Sequence, residues 1–174
     1  MGMNSMVMVS QQSAMMMDKG LALSVVSGIL SVYALFNTFV KIVAGVGIEK
    51  LGFRTVAAAA GALQIAAFLV MLSGRGYVAM VIYAALFGSS VCVGLNYAVL
   101  TIPMLFGKNA LGDLNGFALF AYYLGCFAGP VISGFFFDTA GNYNVTLYIM
   151  IVLLAAYIAA TFIILRKSSL YKAD

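Results

Sequence analysis

Five apolar runs separated by short polar breaks organise the chain, each close to the roughly 20 residues a helix needs to cross a bilayer. They cover Leu21 to Val46, Thr55 to Ser73, Tyr77 to Ile102, Leu114 to Phe137 and Val145 to Leu165. The first is long enough to tilt in the membrane. Pro103 predicts the end of the third run, because proline cannot continue helix hydrogen bonding without a kink. Between Asp138 and the fifth run, the stretch Ala140, Gly141, Asn142, Tyr143, Asn144 reads as a turn. The opening residues 1–17 mix Met with Asn, Ser and Gln and are too short to cross. They read as the tail of a preceding, truncated helix, set off from the first span by Asp18 and Lys19.

Composition turns these runs into membrane spans. At 64% hydrophobic and 8% charged residues, with a mean hydropathy of +1.09, the chain has more apolar surface than a soluble domain of its length could hide. An all-α polytopic membrane protein is expected, with the lipid bilayer as its main partner. The formal charge of +4 does not point to nucleic acid, because the cations stand singly between apolar runs and form no patch. Residues 1–17 carry no charged side chain, so they lack the basic start of a cleavable signal.

Catalytic chemistry has little material here. Cys92 and Cys126 lie inside apolar runs without CxxC spacing, and the chain has no histidine. No metal or other cofactor is expected. An intramembrane enzyme would need a nucleophile with a base, and five acids at helix ends supply neither, so the chain is not read as an enzyme.

Orientation follows from the cations. Taking alternate links, one side carries Lys50, Arg54, Lys108, Arg166, Lys167 and Lys172, and the other only Lys19 and Arg75. The first side is expected to be cytoplasmic, with the C-terminus inside, in the cell membrane. Five spans then leave the N-terminus outside with no signal to send it there. A missing upstream helix, ending in residues 1–17, would repair that count.

Two motifs stand out against this background. In the link after the first span, Gly45, Glu49, Lys50, Gly52 and Arg54 form GxxxEKxGxR. In the fourth span, Gly125, Gly129, Pro130 and Gly134 are spaced so that helix backbones can approach closely in lipid, with a bend at the proline. The first motif resembles the GxxxD(R/K)xGxR loop of the major facilitator superfamily, with Glu49 for the usual aspartate and Phe53 where a polar residue is common. The glycine run and the turn Phe137, Asp138, Thr139, Gly141, Tyr143 resemble that family's eleventh helix and following loop. The resemblance covers essentially the whole chain. It implies helices eight to twelve of a transporter, forming most of the C-terminal six-helix half, with the missing N-terminal half as partner.

Within the superfamily the chain is most similar to the oxalate/formate antiporter and monocarboxylate porter group. There the helix before the loop commonly reads RxxxG, with the arginine binding a substrate carboxylate; here Lys41 precedes Gly45 at that spacing. The resemblance thus implies secondary active transport of a small organic anion by alternating access, with the loop of Gly45, Glu49, Lys50, Gly52 and Arg54 as a conformational latch. Oxalate transporters of that group also carry a cation in the eleventh helix, and none lies between Asp113 and Asp138 here, so the resemblance favours a monocarboxylate over a dianion. Proton symport and exchange both stand as coupling modes.

The residues themselves support a site around Lys41. A lysine deep in a span costs on the order of 3 kcal/mol on insertion scales unless it meets a partner or a wet cavity. Eight positions before Glu49, Lys41 lies about 12 Å deeper at helical rise, further than its stem comfortably snorkels. Asn37 and Tyr33 lie four and eight positions before it, on one helix face. Asn96, Tyr122 and Tyr123 could add hydrogen bonds to a ligand, although helix-to-helix bonding is the commoner use of such residues. Glu49 could accept from free N–H groups at a neighbouring helix start. A non-transporting scaffold subunit, or an inert truncated product, is the alternative reading.

Overall fold

The computed structural model describes residues 2–106 and 111–171, and the side chains of these outside 53–54, 92–106, 111, 113, 162 and 164–171. Every regular element among the described residues is an α-helix. In chain order they are α1 (Gly2–Asp18), α2 (Leu23–Leu51), α3 (Phe53–Ser73), α4 (Gly76–Phe106), α5 (Leu111–Ala140) and α6 (Asn144–Tyr171). Leu23–Leu51, Thr55–Ser73, Leu114–Ala140 and Asn144–Thr161 are each long and apolar enough to cross a membrane. Gly76–Val91, the part of α4 whose side chains are described, is a shorter apolar helix.

The helices run past several of the expected ends. α2 continues beyond Val46 to Leu51, taking Glu49 and Lys50 into its last turn. Only Gly52 stops it, at φ 80°, a left-handed conformation that glycine adopts without steric cost. Its N–H closes the helix on the Ile48 carbonyl at 3.1 Å, and α3 starts at the next residue. The expected loop is therefore a one-residue hinge. α4 likewise passes through Pro103 to Phe106, since a proline this near a helix end removes one hydrogen bond without breaking the rest. The Asn142 turn does form: Gly141 takes φ 68°, and the Asn142 side-chain oxygen accepts from the Asn144 N–H at 3.0 Å.

Packing places α4 between α2 and α3, α6 against the far side of α3, and α1 against α5. α1 also touches α2 and α4 and so closes the bundle. The main core lies toward the end where α1, α3 and α5 finish. Met8 and Met16 of α1, Phe68 of α3, Tyr83 and Phe87 of α4 and Met150 of α6 are all fully buried in it. A smaller cluster near the Gly52 hinge packs Ala57 and Ala60 against Val40, Ala44 and Ile48. Small side chains there let the two hairpin arms run close together.

Candidate functional site

The polar stripe of α2 divides between two environments. Asn37 donates from Nδ2 to the Tyr33 hydroxyl at 3.1 Å, and the Tyr33 ring stacks on Phe87 of α4 at 5.5 Å between centroids. Phe87 in turn stacks on Tyr83 at 5.6 Å. Gly88 makes this seam possible, because a Cβ there would lie 2.6 Å from the Tyr33 carbonyl oxygen. Asn37 Oδ1 is buried in the seam without a hydrogen-bond partner. One turn further on, Lys41 is exposed on the flank of the bundle and bonds to no described residue. Its neighbours Ile42 and Val43 are exposed too, so the ammonium sits on an apolar outer surface.

On α5, Tyr122 is half-buried and Tyr123 exposed, their rings meeting edge to face at 5.6 Å. α2 and α5 are not among the helix pairs in substantial contact, so Lys41 and these tyrosines are not brought together within the bundle. Below them, Gly125 and Gly129 face α1: added Cβ atoms would lie 3.1 Å from the Met3 nitrogen and 2.8 Å from Val7 Cγ2. Gly134, on the same helix, faces open space. The Asn96 side chain lies outside the described residues.

At the hinge, Gly45 and Gly52 are exposed, with open space where a Cβ would stand. Glu49 and Lys50 are exposed and bond to no described residue. Lys50 suits the negative end of α2, whereas Glu49 there opposes it. A latch through Glu49 needs a donor from outside the described residues. Arg54 falls in the first turn of α3, and its side chain lies outside them as well. So do Lys108 and Lys172, two of the cations that orient the chain.

Sequence reading passed over two features. The first is the polar face of α1. Asn4 Nδ2 donates to the Met150 carbonyl of α6 at 3.1 Å, and Gln11 Nε2 to the Pro130 carbonyl of α5 at 3.0 Å. Ser133 of α5 donates to Gln11 Oε1, and the Tyr83 hydroxyl of α4 to Gln12 Oε1 at 3.2 Å. Through these bonds α1 ties three helices together. Asn4 and Gln11 stand two turns apart on one face, a signal visible in the sequence.

The second is a cavity of about 350 Å³ at the end of the bundle opposite the Gly52 hinge. Its wall includes Asp18, Lys19, Arg75, Asn142, Tyr143 and Asn144. Lys19 Nζ donates to the Gly74 carbonyl at 3.0 Å. Burial, reinforced by the nearby Arg75 guanidinium and opposed by Asp18, holds the Lys19 ammonium below the usual lysine range. Burial, with Asp18 and Asp138 nearby, pushes the Tyr143 phenol up. In comparisons with known proteins, no family model matches the chain and no curated protein matches it significantly.

Proposed function

We propose that this chain forms part of a secondary transporter of the major facilitator type that carries a small organic anion, with a monocarboxylate as the favoured substrate. The observation that carries the reading is Lys41. It lies inside a 29-residue apolar helix, on the flank of the bundle, with no described residue to neutralise it. In a bilayer such a cation is costly unless it faces a wet cleft or a partner. A second six-helix bundle placed against this flank would supply the cleft.

In that arrangement the ammonium attracts the carboxylate as a point charge, without the two-pronged grip of a guanidinium. Tyr33 and Asn37, already tied to each other, hold the wall of the site against α4. Binding cancels the lysine charge, so the loaded carrier reorients at lower cost than the empty one. The halves then rock about the site, with the Gly52 hinge and its charged flanks at one face. The C-terminus is placed on the cytoplasmic side by the cation count.

Uptake of radiolabelled formate and lactate into vesicles carrying the intact transport unit tests this directly. Lys41→Ala is expected to abolish uptake, and Lys41→Arg to retain it. Uptake by Lys41→Ala equal to that of the parent would remove Lys41 from the site and the reading with it.

A further inference from the structure

The cavity at the opposite end of the bundle has a donor set that the transport reading does not use. Three chain breaks converge there: the α1–α2 link through Asp18 and Lys19, the α3–α4 link at Arg75, and the α5–α6 turn through Asn142, Tyr143 and Asn144. Its wall holds two cations and one carboxylate, an excess of one positive charge, with Asp138 a second carboxylate near Tyr143 but outside the wall. The cations are close enough for Arg75 to act on Lys19, yet neither forms an ion pair with Asp18 or any other described residue. Two like charges sharing a partly closed space repel each other, and that repulsion is relieved when an anion sits between them.

The donors are also free to act. Lys19 has three N–H bonds and spends one on the Gly74 carbonyl. Arg75 is exposed and bonds to no described residue, leaving its planar fork open. The Asn142 amide is partly spent within its own turn, with one N–H donated to the Ala140 carbonyl and its oxygen accepting from the Asn144 N–H. The Asn144 amide and the Tyr143 hydroxyl are not, and the Tyr143 ring is held in place by stacking on Phe137 at 4.4 Å. α6 begins at Asn144, so the positive end of its dipole opens on the same space. At about 350 Å³ the cavity falls within the range of small-ligand pockets, roughly 300–1,000 Å³.

The geometry points to a binding site for a small oxyanion, a carboxylate or phosphate group, held between Lys19 and Arg75 with Asn144 and Tyr143 as further donors. The site stands apart from Lys41 and does not depend on transport. Because it lies where the helices end, its oxyanion can be free in solution or belong to the headgroup of an anionic lipid. Both sources present the same charged oxygens.

Thermal unfolding of the full chain in phosphatidylcholine vesicles, followed by circular dichroism, tests the site. Inorganic phosphate replaces chloride at constant ionic strength. The midpoint is expected to rise with phosphate, in proportion to the logarithm of its concentration once the site is filled, as for any ligand that binds the folded state alone. Arg75→Gln should lose the rise, and Lys50→Gln, at the hinge end, should keep it. Lys19→Gln is the harsher variant, because its ammonium also bonds the backbone; exposed Arg75 keeps the test valid if that variant does not fold. In a second arm, phosphatidylglycerol replaces part of the phosphatidylcholine without added phosphate. A rise there alone, lost in Arg75→Gln, assigns the site to a lipid headgroup. No rise in either arm, or an equal rise in Arg75→Gln, overturns the proposal.

Discussion

α1 and α2 reverse the usual relation between polarity and burial. α1 has 17 residues rich in Asn, Ser and Gln, and Asn4, Ser5 and Gln12 are among those it buries. α2 has 29 residues, far more apolar, yet buries only Val26 and Ile29. In water this would be an inverted protein. In a bilayer it is the favourable arrangement, because lipid tails are as apolar as a leucine side chain and give an apolar helix no reason to hide. A side-chain amide, by contrast, has nothing in hydrocarbon to bond with and must find another helix. The polar helix therefore goes inside, and the apolar one lies along the edge.

What holds α2 in place is then close fit, and the largest predicted effect lies there. Gly88→Leu puts side-chain atoms where the Tyr33 backbone stands and should force α2 off α4, at a cost of about 1–3 kcal/mol in a chemical unfolding titration. An unchanged midpoint would mean that the seam is not a tight one. Next comes Gln11→Leu, which removes the bonds to the Pro130 carbonyl and the Ser133 hydroxyl and leaves Ser133 only its 3.3 Å contact with the Thr146 hydroxyl. Interhelical bonds of this kind average about 0.6 kcal/mol each in a membrane bundle, so losing two is expected to cost about 1 kcal/mol. A stabilised variant would show that α1 is held by apolar contact alone.

A smaller effect concerns pH. Lys19 is lowered by its surroundings when folded, so below its ordinary 10.5 the unfolded chain holds more protons than the folded one. Stability should rise as pH climbs toward 10.5, and Lys19→Gln should flatten that rise. Tyr143 acts in the opposite sense: its raised folded value makes stability fall as pH passes its ordinary 10.0. Measuring the slope in a Tyr143→Phe background separates the two. The smallest effect is expected for Ile42→Ala, at a position 69% exposed on α2. With this chain alone in vesicles, so that lipid and not the proposed second bundle lies against α2, its stability should stay within about 0.5 kcal/mol of the parent. A large loss would place a protein surface, not lipid, against that flank.

Much of this architecture can be read without coordinates, for reasons specific to each part. The apolar runs announce helices because only a helix satisfies its own backbone across hydrocarbon, and their lengths report the bilayer's thickness. Gly141 and Asn142 announce a turn through their own backbone preferences. Expected ends were less secure, as at Val46 and Pro103, because helices continue until a local conformation stops them, and Gly52 alone does so for α2. Residues 1–17 illustrate the limit. Their length and composition read as the tail of a longer helix and do not say where they pack; in the fold Asn4 bonds across 146 residues of chain and Gln11 across 119. Lys19 and Arg75 read only as markers of topology until the turn at Asn142 closes a cavity around them.

By itself the sequence determined helicity, the number and length of the apolar runs, the glycine turns and the separation of charge along the chain. Each of these depends on neighbours within a few residues or on one segment's affinity for hydrocarbon. Only the tertiary structure decided that the polar face of α1 is buried, that Tyr33 and Asn37 turn to α4 while Lys41 faces outward, and that two sparse cations share a cavity. Those outcomes depend on how helices far apart in the chain are set against one another, and no local pattern carries that information.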